Sequence, residues 1–127
     1  MPRYEELGVW QLANKLVMEV CRIVNQYPRE ATCNDLAIQM KGSAMGVAMN
    51  IAEGHSQQTL DEYRHFLEAA MNSLRDIILF LRISHQNQLI NEASYNFLLK
   101  EYERVKCLVL SIVKWIENET NNSAIAA

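Results

Sequence analysis

The feature that most limits this chain is how little interrupts it. Beyond Pro2 there is a single proline, Pro28, and only four glycines occur. Proline removes a backbone donor and disfavours helix in the residue before it. Glycine is the residue that most easily takes the left-handed turn conformation. A chain of 127 residues with so few of either is poorly supplied for the many turns of an all-β fold and well supplied for long helices. Its length is that of one domain. With half of the residues apolar and 21% charged, the balance is globular rather than disordered.

The few breakers and caps predict four helices at about residues 7–26, 34–53, 60–84 and 92–118. They form one bundle domain over residues 1–120, followed by a flexible tail at 121–127 that is small and polar. Tyr27-Pro28 ends the first helix. Thr32 or Asn34 can cap the second, and Gly54 can close it in the left-handed conformation. Thr59-Leu60-Asp61-Glu62 fits a capping box, and Asn91 is a good N-cap for the fourth helix. Apolar spacing agrees. Tyr95, Leu98, Tyr102, Val105, Val109, Ile112 and Ile116 recur at alternating intervals of three and four, which is an a/d seam. Val9, Leu12, Leu16, Val20, Ile23 and Tyr27 recur at helical spacing in the first helix, as do Leu36, Met40, Ala44, Val47 and Ile51 in the second. The expected fold is all-α, an antiparallel up-down-up-down four-helix bundle with short connections.

Two helices carry more than a bundle core needs. On the third, Tyr63, Leu67, Ala70, Leu74, Ile77, Ile78 and Leu81 form one apolar face, and Phe66, Ala69 and Phe80 form an adjoining one. So wide an apolar sector exceeds the stripe of about 100° that one core uses. Either the helix is deeply buried, or Phe66, Ala69 and Phe80 are an oligomer face. The second helix is crowded with small residues, Gly42 and Gly46 among them. A mid-helix glycine costs about 1 kcal/mol relative to alanine, so close approach of a neighbouring backbone is expected there.

At this point the residues resemble a known family. Tyr4-Glu5-Glu6-Leu7-Gly8-Val9-Trp10-Gln11-Leu12-Ala13 is similar to the opening of a bacterial four-helix-bundle family named for open reading frames in intervening sequences of 23S ribosomal RNA genes. Gln39 and Ser43, followed by Asn50-Ile51-Ala52-Glu53-Gly54, resemble its most characteristic stretch, and Glu62 to Leu74 resembles its third motif. The resemblance spans about Tyr4 to Trp115. It implies a bundle that assembles as a ring-shaped homo-oligomer, a pentamer, with no established reaction. Related accessory proteins of diversity-generating retroelements bind a reverse transcriptase and nucleic acid. The polar family-motif positions are Gln39, Ser43, Asn50 and Glu53.

No catalytic constellation is readable. There is no phosphate loop, nucleophile elbow or dinucleotide fingerprint. Glu62 and His65 give one Glu-x-x-His, where a carboxylate-bridged di-metal site needs two. No metal or other cofactor is therefore expected. Cys21, Cys33 and Cys107 lack metal-knuckle spacing and read as small buried apolar groups. Free thiols suit a reducing cytoplasm, and the longest aliphatic or aromatic run, Ile77 to Leu81, is far too short to span a membrane. A net charge of −3 excludes binding of phosphate by bulk positive charge. Arg64, Arg75 and Arg82 nevertheless align within about 20° on one helix face and form a candidate nucleic-acid contact, set among Asp61, Glu68 and Asp76. The expected function is that of a non-enzymatic, oligomeric binding or scaffold protein. Its partners are other copies of itself and either structured RNA or a nucleic-acid enzyme such as a reverse transcriptase. The alternative is a protein–protein adaptor without nucleic-acid contact.

Overall fold

The computed structural model describes residues 3–126, with side-chain surroundings for residues 3–124. After a short 3-10 turn at Tyr4–Glu6 come four helices: α1 (Gly8–Val24), α2 (Ala31–His55), α3 (Leu60–Gln86) and α4 (Glu92–Ala126). No strand occurs among the described residues. Each helix packs on the next in sequence and α4 returns to α1, whereas the diagonal pairs α1/α3 and α2/α4 have no Cα–Cα approach within 8 Å. This is the neighbour pattern of a closed four-helix core.

The apolar stripes read from spacing meet in that core. Leu16, Val20, Met40, Val47, Ile51, Leu67, Leu74, Ile77, Leu81, Leu98, Tyr102, Val105, Val109 and Ile116 are all essentially inaccessible to solvent. Each such side chain contributes roughly 1.5–3 kcal/mol by leaving water, and chain entropy offsets most of that sum.

Helix ends follow local chemistry. Thr59 is extended (φ −118°, ψ 151°), and its hydroxyl oxygen accepts from the Glu62 amide at 3.2 Å while the hydroxyl donates to the Glu62 carboxylate at 3.0 Å. A cap of this type is worth about 1 kcal/mol. Asn91 likewise accepts from the Ser94 amide at 2.8 Å. The end of α3 lacks glycine. Gln88 takes φ 58°, and the Leu89 and Gln88 amides donate to the carbonyls of Ser84 (2.9 Å) and His85 (3.1 Å). That is the Schellman pattern, formed here on a glutamine.

Several boundaries differ from the sequence expectation. The first helix stops at Val24, not near residue 26, because the chain is already turning toward Pro28. The second starts at Ala31, ahead of both Thr32 and Asn34. Its N-cap is Glu30, extended and without a side-chain cap bond. The fourth continues through residues 121–126, the segment read as tail. Polar residues alone do not stop a helix, and neither glycine nor proline lies beyond Asn118.

Gly54 does not take the left-handed conformation. No glycine among the described residues has positive φ, and α2 passes through Gly54 to His55. Its role is space. A Cβ there would lie 2.9 Å from the Phe66 Cβ and 3.0 Å from the Tyr63 ring. Gly46 is also a close approach, with the Ser73 hydroxyl 2.6 Å from a would-be Cβ, but Gly42 has nothing within 4 Å. The crossing expected at Gly42 and Gly46 is therefore centred on Gly46 and Gly54.

Candidate functional site

The polar motif positions of α2 spread around the edge of the α2/α3 contact. Asn50 is half-buried, and its amide donates to the Gly46 carbonyl at 2.8 Å, one turn back on its own helix. Ser43 is half-buried, while Gln39 and Glu53 are exposed. Asn50 therefore secures the α2 backbone at Gly46, the position that faces Ser73 of α3. The four side chains do not converge on one point.

Phe66, Ala69 and Phe80 are half-buried. Phe66 rests on Gly54 of the same chain, and Phe80 packs against the core. By helical periodicity all three share the Ser73 side of α3, so the wide apolar sector of α3 turns toward the small residues of α2. Large residues on one helix meet small ones on the other, the complementarity that close helix packing needs.

The arginine stripe is divided. Arg64 lies 3.4 Å from Glu68 and 3.0 Å from Glu117, tying α3 to the far part of α4. Arg75 is held by the Asn72 side chain. Arg82 is exposed and makes no ion pair among the described residues. Exposed ion pairs contribute at most about 1 kcal/mol, but Arg64 is thereby partly neutralised. Arg75 and Arg82 remain the two members of the stripe without a carboxylate partner.

The most exposed large apolar side chains lie elsewhere. Met18 (68% exposed), Ile38 (65%), Met49 (63%), Leu79 (54%) and Trp115 (48%) lead the group, with Phe97, Met45, Leu110 and Leu108 following. On α2, Ile38, Gly42, Met45, Met49 and Ala52 recur at intervals of 4, 3, 4 and 3. On α4, Phe97, Leu108 and Trp115 fall on one outward face. These are a/d-type patterns pointing away from the core. The spacing was available in the sequence, but the inward seams of the same helices use the same intervals and account for more residues.

Grooves flank α1. One of about 380 Å³ runs between α1 and α2, with Trp10, Val17, Met45 and Met49 in its walls. A larger one, about 610 Å³, runs between α1 and α4 and is lined by Leu7, Leu12, Leu108 and Ile112 together with Lys15 and Arg104.

Chemistry-bearing groups are dispersed. His55 Nδ1 lies 3.2 Å from the Tyr63 hydroxyl. His85 Nε2 lies 2.6 Å from Glu92, and its ring stacks on Tyr95 with centroids 4.0 Å apart. His65 is exposed beside Phe66. No group of three or more His, Cys, Asp or Glu among the described residues is placed to hold a metal ion. The cysteines are free and none is buried: Cys21 and Cys33 are half-exposed and Cys107 is exposed. This corrects their reading as buried apolar groups: Cys33 is only partly buried against the core, and Cys107 lies on the face of α4 opposite its inward seam. No described helix is long and apolar enough to cross a membrane.

Burial raises the pKa of three tyrosines. Tyr102 is raised most, by burial and by its proximity to Cys21. Tyr63 is raised by burial. Tyr27 is raised by burial, with a bond to Ser84 acting in the opposite direction. These are core groups, remote in character from a solvent-accessible acid–base site.

Comparison with known proteins adds a family. The model of the family described as 23S rRNA-intervening sequence protein matches residues 5–111. A crystal structure from Bacteroides thetaiotaomicron, of a protein with unknown function from the S23 ribosomal protein family, superposes with a TM-score of 0.78 at 16% sequence identity. The match covers 84% of this chain and 98% of that one, and at this identity it speaks for the fold. Comparison with curated proteins gave no match.

Proposed function

Because the chain belongs to the 23S rRNA-intervening sequence protein family, we propose that it is a non-catalytic binding scaffold that assembles into a ring of identical copies, five by the family resemblance. The observation that carries this reading is the distribution of exposed apolar surface. Large apolar side chains stand out on all four helices, whereas the ionisable groups are scattered. Where such residues align on one helix face, as Ile38, Met45 and Met49 do on α2, apolar surface marks a site of association. An up-down-up-down course suits the pairing of Met40 with Ser84, Gly46 with Ser73 and Gly54 with Phe66, in which residue numbers rise along α2 as they fall along α3. Three free thiols suit a reducing, cytoplasmic location.

The partner in this reading is structured RNA, or an enzyme that acts on nucleic acid, such as a reverse transcriptase. Arg75 and Arg82 provide the phosphate contact on each copy, and a ring multiplies a weak contact into avidity. Titration of labelled structured RNA at several salt concentrations tests this. Binding is expected at low salt and is expected to weaken as salt rises, because phosphate contacts release counterions. Arg75→Ala with Arg82→Ala is expected to flatten that salt dependence, with Arg64→Ala doing less. Absence of binding at low salt, or binding indifferent to salt, would contradict nucleic-acid contact.

One observation favours a second reading, a protein–protein adaptor. The net charge is −3, and Arg64 is already engaged by two carboxylates. A protein partner retained after nuclease treatment, with no RNA binding, would select this alternative.

A further inference from the structure

We propose that the outward ridge of α2 docks into the α1/α4 groove of a second copy of this chain, so that copies join head to tail. This rests on the self-assembly reading above and assigns it two surfaces. The ridge is Ile38, Gly42, Met45, Met49 and Ala52. Ile38, Met45 and Met49 are 65%, 45% and 63% exposed. Gly42 lies among them, and the space beside it is open to 4 Å. A mid-helix glycine weakens a helix, and nothing inside the chain uses the room this one frees. Methionines fit irregular apolar walls well because they are unbranched and flexible.

The groove complements the ridge in shape and charge. Its 610 Å³ is walled by Leu7, Leu12, Leu108 and Ile112, enough to receive side chains of a neighbouring helix. Its charged lining residues are both cations, Lys15 and Arg104. Arg104 is well exposed and only loosely paired with Glu101, at 3.8 Å. One edge of the ridge carries the exposed carboxylates of Asp35 and Glu53, and the half-buried Lys41 lies along the other. The anionic edge meeting a cationic groove favours this orientation over ridge on ridge.

The two surfaces are built from different residues. α2 and α4 are diagonal in the bundle, so one copy presents a ridge on one side and a groove on another. Such a contact is heterologous: each copy can give and receive at once, and a series of them closes into a ring when the rotation permits.

The test uses complementation between two full-length variants. Met45→Lys with Met49→Lys places cations on the ridge, against Lys15 and Arg104. Leu108→Glu places an anion in the groove, against Glu53. All three positions are exposed, and circular dichroism would verify that helix content is kept. Each variant alone is expected to scatter light as a monomer. Their mixture is expected to form a one-to-one dimer of twice 14.6 kDa and nothing larger, because one intact ridge meets one intact groove. A variant that keeps the wild-type mass would assign the surface to a different occupant and overturn the proposal, as would a mixture that stays monomeric. Should the lysine variant lose helix, Gly42→Leu is a gentler probe: Gly42 is exposed and a Cβ there meets nothing within 4 Å, and the dissociation constant of the assembly is expected to rise at least tenfold. No change there would also overturn the proposal. A wild-type protein that is itself monomeric would instead refute self-assembly, a result distinct from failure of the surface assignment.

Discussion

Gly54→Ala is expected to destabilise the bundle by about 1–2 kcal/mol, although alanine is the better helix former. Removing a mid-helix glycine gains about 1 kcal/mol, while forcing a methyl group into a filled contact costs about 1–3 kcal/mol. The second effect prevails here because the obstructing atoms cannot move away. The new Cβ would meet the Cβ of Phe66 at 2.9 Å and the Tyr63 carbonyl oxygen at 3.3 Å, and both are fixed to the α3 backbone. Gly54→Leu is expected to exceed 3 kcal/mol by the same mechanism. Gly42→Ala provides the contrast: with nothing within 4 Å, it is expected to stabilise the isolated chain by about 1 kcal/mol. Urea denaturation midpoints would order the variants. A Gly54→Ala protein as stable as wild type would contradict the close α2/α3 contact.

Tyr102→Phe is expected to act in the opposite direction, raising stability by about 1–2 kcal/mol. Tyr102 is inaccessible to solvent, and its hydroxyl has no hydrogen-bond partner among the described residues. A buried polar atom left unpaired costs about 1–3 kcal/mol. Phenylalanine keeps the ring and removes that atom. The same tyrosine predicts alkaline sensitivity. Burial raises its pKa above the ordinary value of 10.0, so the folded chain holds a proton that the unfolded chain releases. Its contribution is complete below pH 10 and is lost as pH rises above it. Tyr63 and Tyr27 shift in the same direction. The variant is expected to show a shallower alkaline decline as well as a higher midpoint. A destabilised Tyr102→Phe would contradict the orphaned hydroxyl.

Much of this architecture is legible in the sequence because period and capping are local. The a/d seam from Leu98 to Ile116 packs into the core as its spacing indicates, and the Thr59 and Asn91 caps form with the amides of Glu62 and Ser94. What spacing conceals is the direction of a small offset. Residues four apart differ by about 40° around a helix. That offset places Gly46 over Ser73 and leaves Gly42 in the open. The Schellman stop at Gln88 is hidden because glutamine rarely takes φ 58°. The family resemblance drew attention to Asn50 and Glu53, but it did not distinguish a side chain bonded to its own helix from an exposed one. That difference is set by tertiary packing.

The same division applies to the surface. Intervals of three and four mark both the inward seams and the outward ridge of α2, so periodicity reveals the ridge only after the core has been assigned. Arg64, Arg75 and Arg82 are collinear by sequence, yet the availability of Arg64 depends on Glu117, more than fifty residues away in the chain and 3.0 Å away in space. With Arg64 paired, the stripe offers the proposed RNA contact two arginines per copy, and repetition around a ring would have to supply the rest.

Self-assembly is thus the claim on which both the scaffold reading and the ridge-and-groove contact depend. Light scattering coupled to size exclusion at micromolar concentration measures it directly. One species is expected, with a mass that is a whole-number multiple of 14.6 kDa, five-fold for the proposed ring. A single species at 14.6 kDa, unchanged as concentration rises, would contradict it.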